Sequence, residues 1–132
     1  VKTGVYDLLD ASCPSTPFHL VVSNPPYIPS AERADMHARV VDNEPALALF
    51  VPDEDPLLFY RALVRWCEGG GLTEEGWLGI ECHHAHAGDV AAFLAGSGRW
   101  KHVEILEDLQ GKPRHVVARL KVPSLHGRSP KD

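Results

Sequence analysis

The sequence predicts an α/β fold whose strands pair mainly in parallel. The apolar run from Phe18 to Val22 is typical of a buried strand, and Trp77 to Cys82 has the same character. Between them, an amphipathic segment ends at three consecutive glycines, 69–71. The order strand, helix, strand implies parallel pairing, because the helix carries the chain back to the edge where the first strand began.

The first strand stops abruptly. Ser23 follows the apolar run, and Pro25-Pro26 has no N–H to continue a ladder. The stretch from Ile28 to Asp55 combines prolines and charges with weak periodicity, which predicts a long loop with one helical turn at Ala34 to Arg39. Loops of that length inside compact domains are usually functional.

The helix that follows has the clearest pattern. Asp55 is predicted as its N-cap and Pro56 as its first helical residue. One apolar stripe runs along it and should face the core: Leu58, Phe59, Ala62, Leu63 and Trp66.

A second helix is predicted from Ala87 to Ala95, ended by Gly96 and Gly98. Its expected inward residues are Val90, Phe93 and Leu94. Two further strands, near Lys101 to Leu106 and His115 to Leu120, flank a turn-rich segment at 108–114. That layout predicts a closing antiparallel hairpin.

At 132 residues the chain is long enough for one domain or part of one. We expect residues 1–122 to form the folded part and the polar residues 123–132 a disordered tail. The chain begins with Val1 and enters strand-like sequence at once, which we interpret as an absent upstream segment.

Composition favours a soluble, cytoplasmic protein. There is no apolar run of membrane-spanning length and no secretory-signal layout at the start. Three widely spaced cysteines predict reduced thiols rather than a disulfide framework. The formal net charge of −5 argues against a nucleic-acid partner, whose phosphates require clustered Lys and Arg.

The informative motif is Asn24-Pro25-Pro26-Tyr27, at the carboxyl end of the first strand, where open α/β sheets place their ligand crevices. The Asn24 side-chain oxygen and the Pro25 carbonyl can accept the two N–H groups of an amide or exocyclic amine, and the Tyr27 ring can cover it. Such positioning favours methyl transfer to a weakly nucleophilic nitrogen. The plain alternative is a strand-ending turn, since Asn and Pro are common turn formers.

The wider pattern resembles the HemK/PrmC family, protein-glutamine methyltransferases that modify the Gly-Gly-Gln motif of peptide-chain release factors. The resemblance runs from Val5 to Leu120. Its blocks are Val22 to Pro29, Asp42-Asn43-Glu44-Pro45 with Ala48-Leu49-Phe50, Leu58-Phe59-Tyr60, Glu81, and Asp108-Leu109 with Gly111 and Arg114.

The resemblance implies the second half of a Rossmann-like, seven-stranded S-adenosylmethionine-dependent methyltransferase sheet, so that residues 1–122 are the carboxyl-terminal part of a catalytic domain. It also implies that Asn24, Pro25, Pro26 and Tyr27 bind the substrate amide, and that Asp7 and Asn24 lie at the cofactor. A solvated strand-end carboxylate is the alternative for Asp7.

Four further residues match family blocks and are expected to have structural or substrate-loop roles rather than catalytic ones: Glu44, Glu81, Asp108 and Arg114. An ion pair of Arg114 with Asp108 or Glu81 is the plain interpretation of that group. The implied partner is a release factor, with no membrane contact, and with nucleic acid only through a ribosome-associated substrate.

One departure from the family pattern concerns the cofactor. The glycine-rich loop between the first strand and first helix of these enzymes has no counterpart here, since glycines 69–71 follow a helix. We therefore expect the chain alone to bind S-adenosylmethionine weakly or not at all and to be inactive.

Several alternatives stay open. The amine-binding motif also suits a base-modifying methyltransferase, and a chain without a cofactor loop suits a non-enzymatic binding fragment, or a structural fragment that needs its other half. The Cys82-His83-His84-x-His86 cluster suggests a metal site, but adjacent strand residues point to opposite faces, so Cys82, His83 and His84 cannot all converge. We expect the cluster to mark the exit from a strand into a loop. Ser15, Ser23 and His19 lack a third member for a hydrolase triad.

Overall fold

The computed structural model describes residues 1, 3–10, 12, 14, 16–26, 28–29, 50–51 and 55–123. The predicted helical turn at Ala34 to Arg39 and nearly all of the predicted tail lie outside these residues. The described elements, in chain order, are β1 (Phe18–Ser23), β2 (Ile28–Pro29), β3 (Phe50–Val51), α1 (Leu58–Trp66), β4 (Leu72–Glu81), α2 (Ala87–Gly96), β5 (Trp100–Glu107) and β6 (Pro113–Leu120).

A four-stranded sheet organises the chain, in the spatial order β1-β4-β6-β5. Strands β1 and β4 are parallel, and β6 runs antiparallel to both β4 and β5. Separately, β2 and β3 form a short parallel pair. The α/β class, the parallel pairing across α1 and the closing hairpin are confirmed.

Helix α1 begins later than the sequence suggested, and the prediction of Asp55 as its N-cap is wrong. The N-cap is Leu57, without a side-chain hydrogen bond. The Asp55 carboxylate instead accepts a hydrogen bond from Arg61 at 2.6 Å, while its carbonyl accepts the Leu58 N–H at 3.2 Å. The Asp-Pro pair therefore lies in a turn before the helix, and the ion pair between Asp55 and Arg61 holds that turn against α1.

The glycines end α1 as expected. Cys67–Gly71 forms a single π-helical turn, inside which Gly70 has φ 123°. That conformation is strained for residues with a Cβ. Gly71 lies against the Trp66 ring, so closely that a Cβ there would lie 2.3 Å from Cε3. The turn thus depends on glycine for both backbone angle and space.

The core fills the space between the helices and one face of the sheet. From α1 it takes Tyr60, Ala62, Leu63 and Val64, whereas the predicted Leu58, Phe59 and Trp66 are only half-buried. From the strands, alternate residues supply Leu78, Ile80, Val116 and Ala118.

The prediction that Phe93 faces inward is wrong, because its side chain is 42% exposed. The buried residues of α2 are Ala87, Val90 and Leu94. With 3.6 residues per turn, Phe93 projects roughly a quarter turn away from the centre of that stripe.

Strand β4 begins at Leu72, five residues before the predicted start at Trp77. The intervening Glu75 has φ 64°, and the β1–β4 register shifts between Phe18 and Leu20. Lys101 holds the Glu75 carboxylate at 2.7 Å. The irregularity hid the start of the strand from a period-two pattern.

The other sheet face is open among the described residues. Leu20 and Val22 alternate along β1 and are 61% and 72% exposed, whereas Phe18, before the register shift, stacks on the Trp66 ring with centroids 6.4 Å apart. In the part of the chain that the structure describes, no helix is long and apolar enough to cross a membrane.

Candidate functional site

The candidate site starts where β1 ends. Asn24 is exposed, Pro25 is buried and Pro26 is half-buried, all three directly after Ser23. The motif therefore lies at the carboxyl end of a strand that pairs in parallel with β4, as predicted. Tyr27, the fourth predicted substrate residue, lies outside the described residues.

Strand register determines what stands beside Asn24. Ser23 pairs with Ile80, so the next residues, Asn24 and Glu81, are level on neighbouring strands. Glu81 in turn pairs with His115 on β6. Three polar side chains thus follow one another across three strands at this edge of the sheet.

A cavity of about 430 Å³ opens on the same sheet face. Its lining residues come from all four strands of the sheet and from Asn24: Val22, Ser23, Asn24, Gly79, Ile80, Glu81, Leu106, His115 and Val117. The floor is aliphatic, and the rim carries the amide, the carboxylate and the imidazole. An apolar recess with a few convergent polar groups is the usual form of a small-ligand site.

Gly79 gives this cavity depth. It pairs with Val22 on one side and Val117 on the other, and a Cβ placed on it would meet their Cγ1 atoms at 3.5 and 3.9 Å. Those are ordinary contacts, so the glycine is not required by crowding. Its missing side chain leaves the space between the two valines open.

The loop after β4 lies at the same edge. The His83 N–H donates to the Tyr60 hydroxyl at 3.0 Å, and the His83 ring stacks on His84 with centroids 4.5 Å apart. The expected exit from strand to loop is confirmed, because β4 ends at Glu81 and both histidines follow it in the loop. Within the described ranges, no group of three or more potential ligands is arranged to hold a metal ion.

Cys82 is fully buried on the opposite side from the cavity. Burial, with a smaller contribution from the Glu81 charge, raises the pKa of its thiol to about 12. The group is therefore protonated at neutral pH and is not a nucleophile.

Asp7, the predicted cofactor residue, lies in a turn. Its carboxylate accepts the Leu9 N–H at 3.0 Å, and its carbonyl accepts the Asp10 N–H at 3.1 Å. The neighbours Tyr6 and Leu8 border a second cavity of about 320 Å³, whose other walls include Phe18, Val21, Leu63 and Trp66. This cavity shares Val22 and Ser23 with the first, so both meet at the end of β1.

Arg114 and Asp108 form the predicted ion pair, Nε to Oδ2 at 3.3 Å. The Asp108 carboxylate also accepts backbone N–H groups from Gln110 at 2.8 Å and Lys112 at 3.0 Å. The Lys112 N–H is the largest cause that lowers the pKa of this carboxyl, followed by Gln110 and Arg114. The pair therefore stabilises the β5–β6 turn. Glu44 lies outside the described residues.

Sequence reasoning did not bring His115 or Gly79 to the site, and it gave Glu81 no catalytic role. The available signal was strand alternation, since Gly79 and Glu81 lie two apart on β4 and Val117 and His115 two apart on β6. Strand alternation could locate these residues only if the pairing register of β1, β4 and β6 were known, and that register cannot be deduced from the sequence.

Searches with protein-family models gave no match. Release factor glutamine methyltransferases are similar in sequence. Those of Bacteroides thetaiotaomicron and Deinococcus radiodurans are each 41% identical over 105 residues, covering 78% and 80% of this chain. That of Koribacter versatilis is 32% identical over 119 residues, or 90% of the chain.

A crystal structure from Alicyclobacillus acidocaldarius, a release factor-specific protein-(glutamine-N5) methyltransferase, is similar in fold. Its TM-score is 0.50 at 25% identity, covering 80% of this chain and 50% of that one. The chain spans only 36% to 41% of the three sequence relatives named above.

The sheet order, the closing hairpin and the motif at the end of β1 define a partial Rossmann-like methyltransferase domain. Over the segment it spans, the chain belongs to the HemK/PrmC family of release factor glutamine methyltransferases.

Proposed function

We propose that this chain provides the amide-binding part of an enzyme that methylates the side-chain nitrogen of a glutamine in a release factor. The observation that carries the proposal is the position of Asn24-Pro25-Pro26, at the carboxyl end of β1 and on the rim of the 430 Å³ cavity.

In this proposal the Asn24 side-chain oxygen and the Pro25 carbonyl accept the two N–H groups of the target amide. Pro25 is buried and Pro26 has a fixed φ, so the carbonyl between them has a constrained direction. Tyr27 covers the planar group. Holding a weak nucleophile in line with the methyl group can lower the activation barrier by roughly 7–11 kcal/mol.

S-adenosylmethionine supplies the methyl group in this proposal. The residues of the second cavity fit part of such a cofactor, because Tyr6, Leu8 and Phe18 provide apolar walls for a planar ring. Asp7 lies between the first two of these residues in the sequence. The glycine-rich loop that would approach the remainder of the cofactor is not found among the described residues. Glycines 69–71 end α1 instead. We therefore expect weak cofactor affinity for the 132-residue chain alone.

The test compares this chain with the longest protein encoded by the same reading frame. Calorimetric titration measures S-adenosylmethionine binding, and mass spectrometry measures methylation of a peptide that contains Gly-Gly-Gln. Binding and glutamine methylation by the longer protein support the proposal. Methylation of adenine or guanine in oligonucleotides, without peptide methylation, replaces it with the base-modifying alternative.

The matched variants are Asn24→Ala and Lys121→Ala. We expect the first to lower kcat roughly 100-fold, because the amide loses one of its two positioning contacts. Lys121 is exposed beyond the far end of β6, so its variant should keep the full rate. An Asn24→Ala protein with the full rate contradicts the proposed site.

A further inference from the structure

We propose that Glu81 accepts the proton that the target amide releases during methyl transfer, and that His115 passes it to water. This inference rests on the proposed function and adds a catalytic group to it. It starts from the row Asn24, Glu81 and His115 across β1, β4 and β6.

The first support is proximity to the amide-binding residue. Asn24 and Glu81 are level on adjacent parallel strands, whose backbones lie about 4.8 Å apart. Both residues line the same cavity. An amide that is bound at Asn24 therefore lies within the reach of the Glu81 side chain.

The second support is the pairing of Glu81 with His115. The Cys82 N–H donates to the Arg114 carbonyl at 2.7 Å, so Cys82 and Arg114 form a hydrogen-bonded antiparallel pair. The preceding pair, Glu81 with His115, is consequently of the non-hydrogen-bonded type. In such pairs the Cα atoms are only about 4.5 Å apart and the side chains are closest. His115 is exposed and connects the pair to solvent.

The chemistry requires a proton acceptor. Methylation forms an N–C bond and breaks the C–S bond of a sulfonium donor, whose electron pair stays on sulfur. The amide nitrogen then carries one proton too many, and that proton must leave as the nitrogen becomes neutral. The Asn24 and Pro25 oxygens can orient N–H groups, but amide carbonyls are too weakly basic to keep a proton at neutral pH.

The other groups around Glu81 leave it as the suitable acceptor. Of the nine described residues that line the cavity, only Glu81 carries a carboxylate and only His115 an imidazole. Cys82 faces the core with a pKa raised to about 12 by burial. Asp108 is engaged with Arg114 and two backbone N–H groups, and β1 brings only Val22, Ser23 and Asn24 to the cavity. His83 and His84 follow in the next turn.

The decisive experiment measures kcat and KM against pH for the longer protein that methylates the Gly-Gly-Gln peptide. We expect the wild-type kcat to fall on the acid side, as protonation removes the acceptor. Glu81→Gln should lower kcat roughly 100-fold and abolish that acid limb. KM for the peptide and the calorimetric affinity for S-adenosylmethionine should stay within about two-fold.

Two further variants separate catalysis from structure. Glu81→Asp keeps a carboxylate, so it should keep the acid limb at reduced kcat, and it serves if Glu81→Gln does not fold. His115→Gln should lower kcat less than Glu81→Gln and leave the acid limb in place. Thermal unfolding of each variant identifies any loss of fold.

A Glu81→Gln enzyme that retains the wild-type kcat and acid limb overturns the inference while the proposed function stands. If the wild-type protein does not methylate the peptide, or Asn24→Ala has no effect, the proposed function fails and the inference fails with it.

Discussion

The Tyr60 hydroxyl accepts a hydrogen bond from the His83 backbone N–H at 3.0 Å, with the two residues only 2% and 7% exposed. The bond joins the first turn of α1 to the loop that leaves β4. Since Glu81 is two residues before His83, this contact also helps to fix the exit of the strand that lines the candidate site.

Tyr60→Phe should destabilise the fold by about 1–3 kcal/mol, because it leaves the His83 N–H buried without that acceptor. Urea unfolding followed by circular dichroism measures the change. Tyr6→Phe is the matched control, since Tyr6 is 62% exposed. Equal stability of the two variants would show that the bond is unimportant.

Gly71→Ala should cost about 1–3 kcal/mol through overpacking, because the new methyl would press on the Trp66 ring. Trp66 emission should change as the ring moves. In α2, a Cβ added at Gly88 would meet open space, so Gly88→Ala should raise the free energy of unfolding by about 0.5–1 kcal/mol. If the two variants have the same unfolding midpoint, the close contact between Gly71 and the Trp66 ring is contradicted.

Cys82 should make the fold sensitive to alkali. Its pKa is raised from 9.0 to about 12, so the unfolded chain loses this proton first as pH rises. The contribution to stability is complete below pH 9.0 and is lost as pH approaches about 12. Unfolding free energies measured across that range should fall more steeply for wild type than for Cys82→Ala, and parallel curves would count against the shift.

Asp108→Asn should weaken the β5–β6 turn at neutral pH, since the carboxylate charge that attracts Arg114 and two backbone N–H groups is lost. The folded pKa lies below the ordinary 3.8, so the stabilisation is present above that value and disappears as pH falls through the folded pKa. The gap between wild type and variant in thermal unfolding midpoint should therefore close in strong acid. A gap that is independent of pH would contradict this assignment.

The sequence was sufficient for the order and type of the main elements, because apolar runs and helical stripes report burial directly. The sequence was less informative about where these elements begin and which of their faces are buried. The start of α1 is set by the ion pair of Asp55 with Arg61, and the start of β4 by the irregularity near Glu75. The exposure of Phe93 depends on which side of α2 packs against the sheet. Each is a tertiary contact that overrides a local preference.

The candidate site divides in the same way. Asn24 and Pro25 could be placed from sequence, because a strand that stops at prolines has a defined carboxyl end. Glu81 and His115 could not be placed, since they are 34 positions apart in the sequence and only the β4–β6 register brings them opposite each other.

Strand β1 joins the described sheet through β4 alone, and its partners lie more than fifty residues along the chain, as the pairing of Val22 with Gly79 shows. The β5–β6 hairpin closes a far shorter loop. Because distant pairings close at greater entropic cost, the hairpin should form early in folding and β1 should dock last. The segment that carries Asn24 is then also the first to open in the native state, so amide hydrogen exchange should be faster in β1 than in β6.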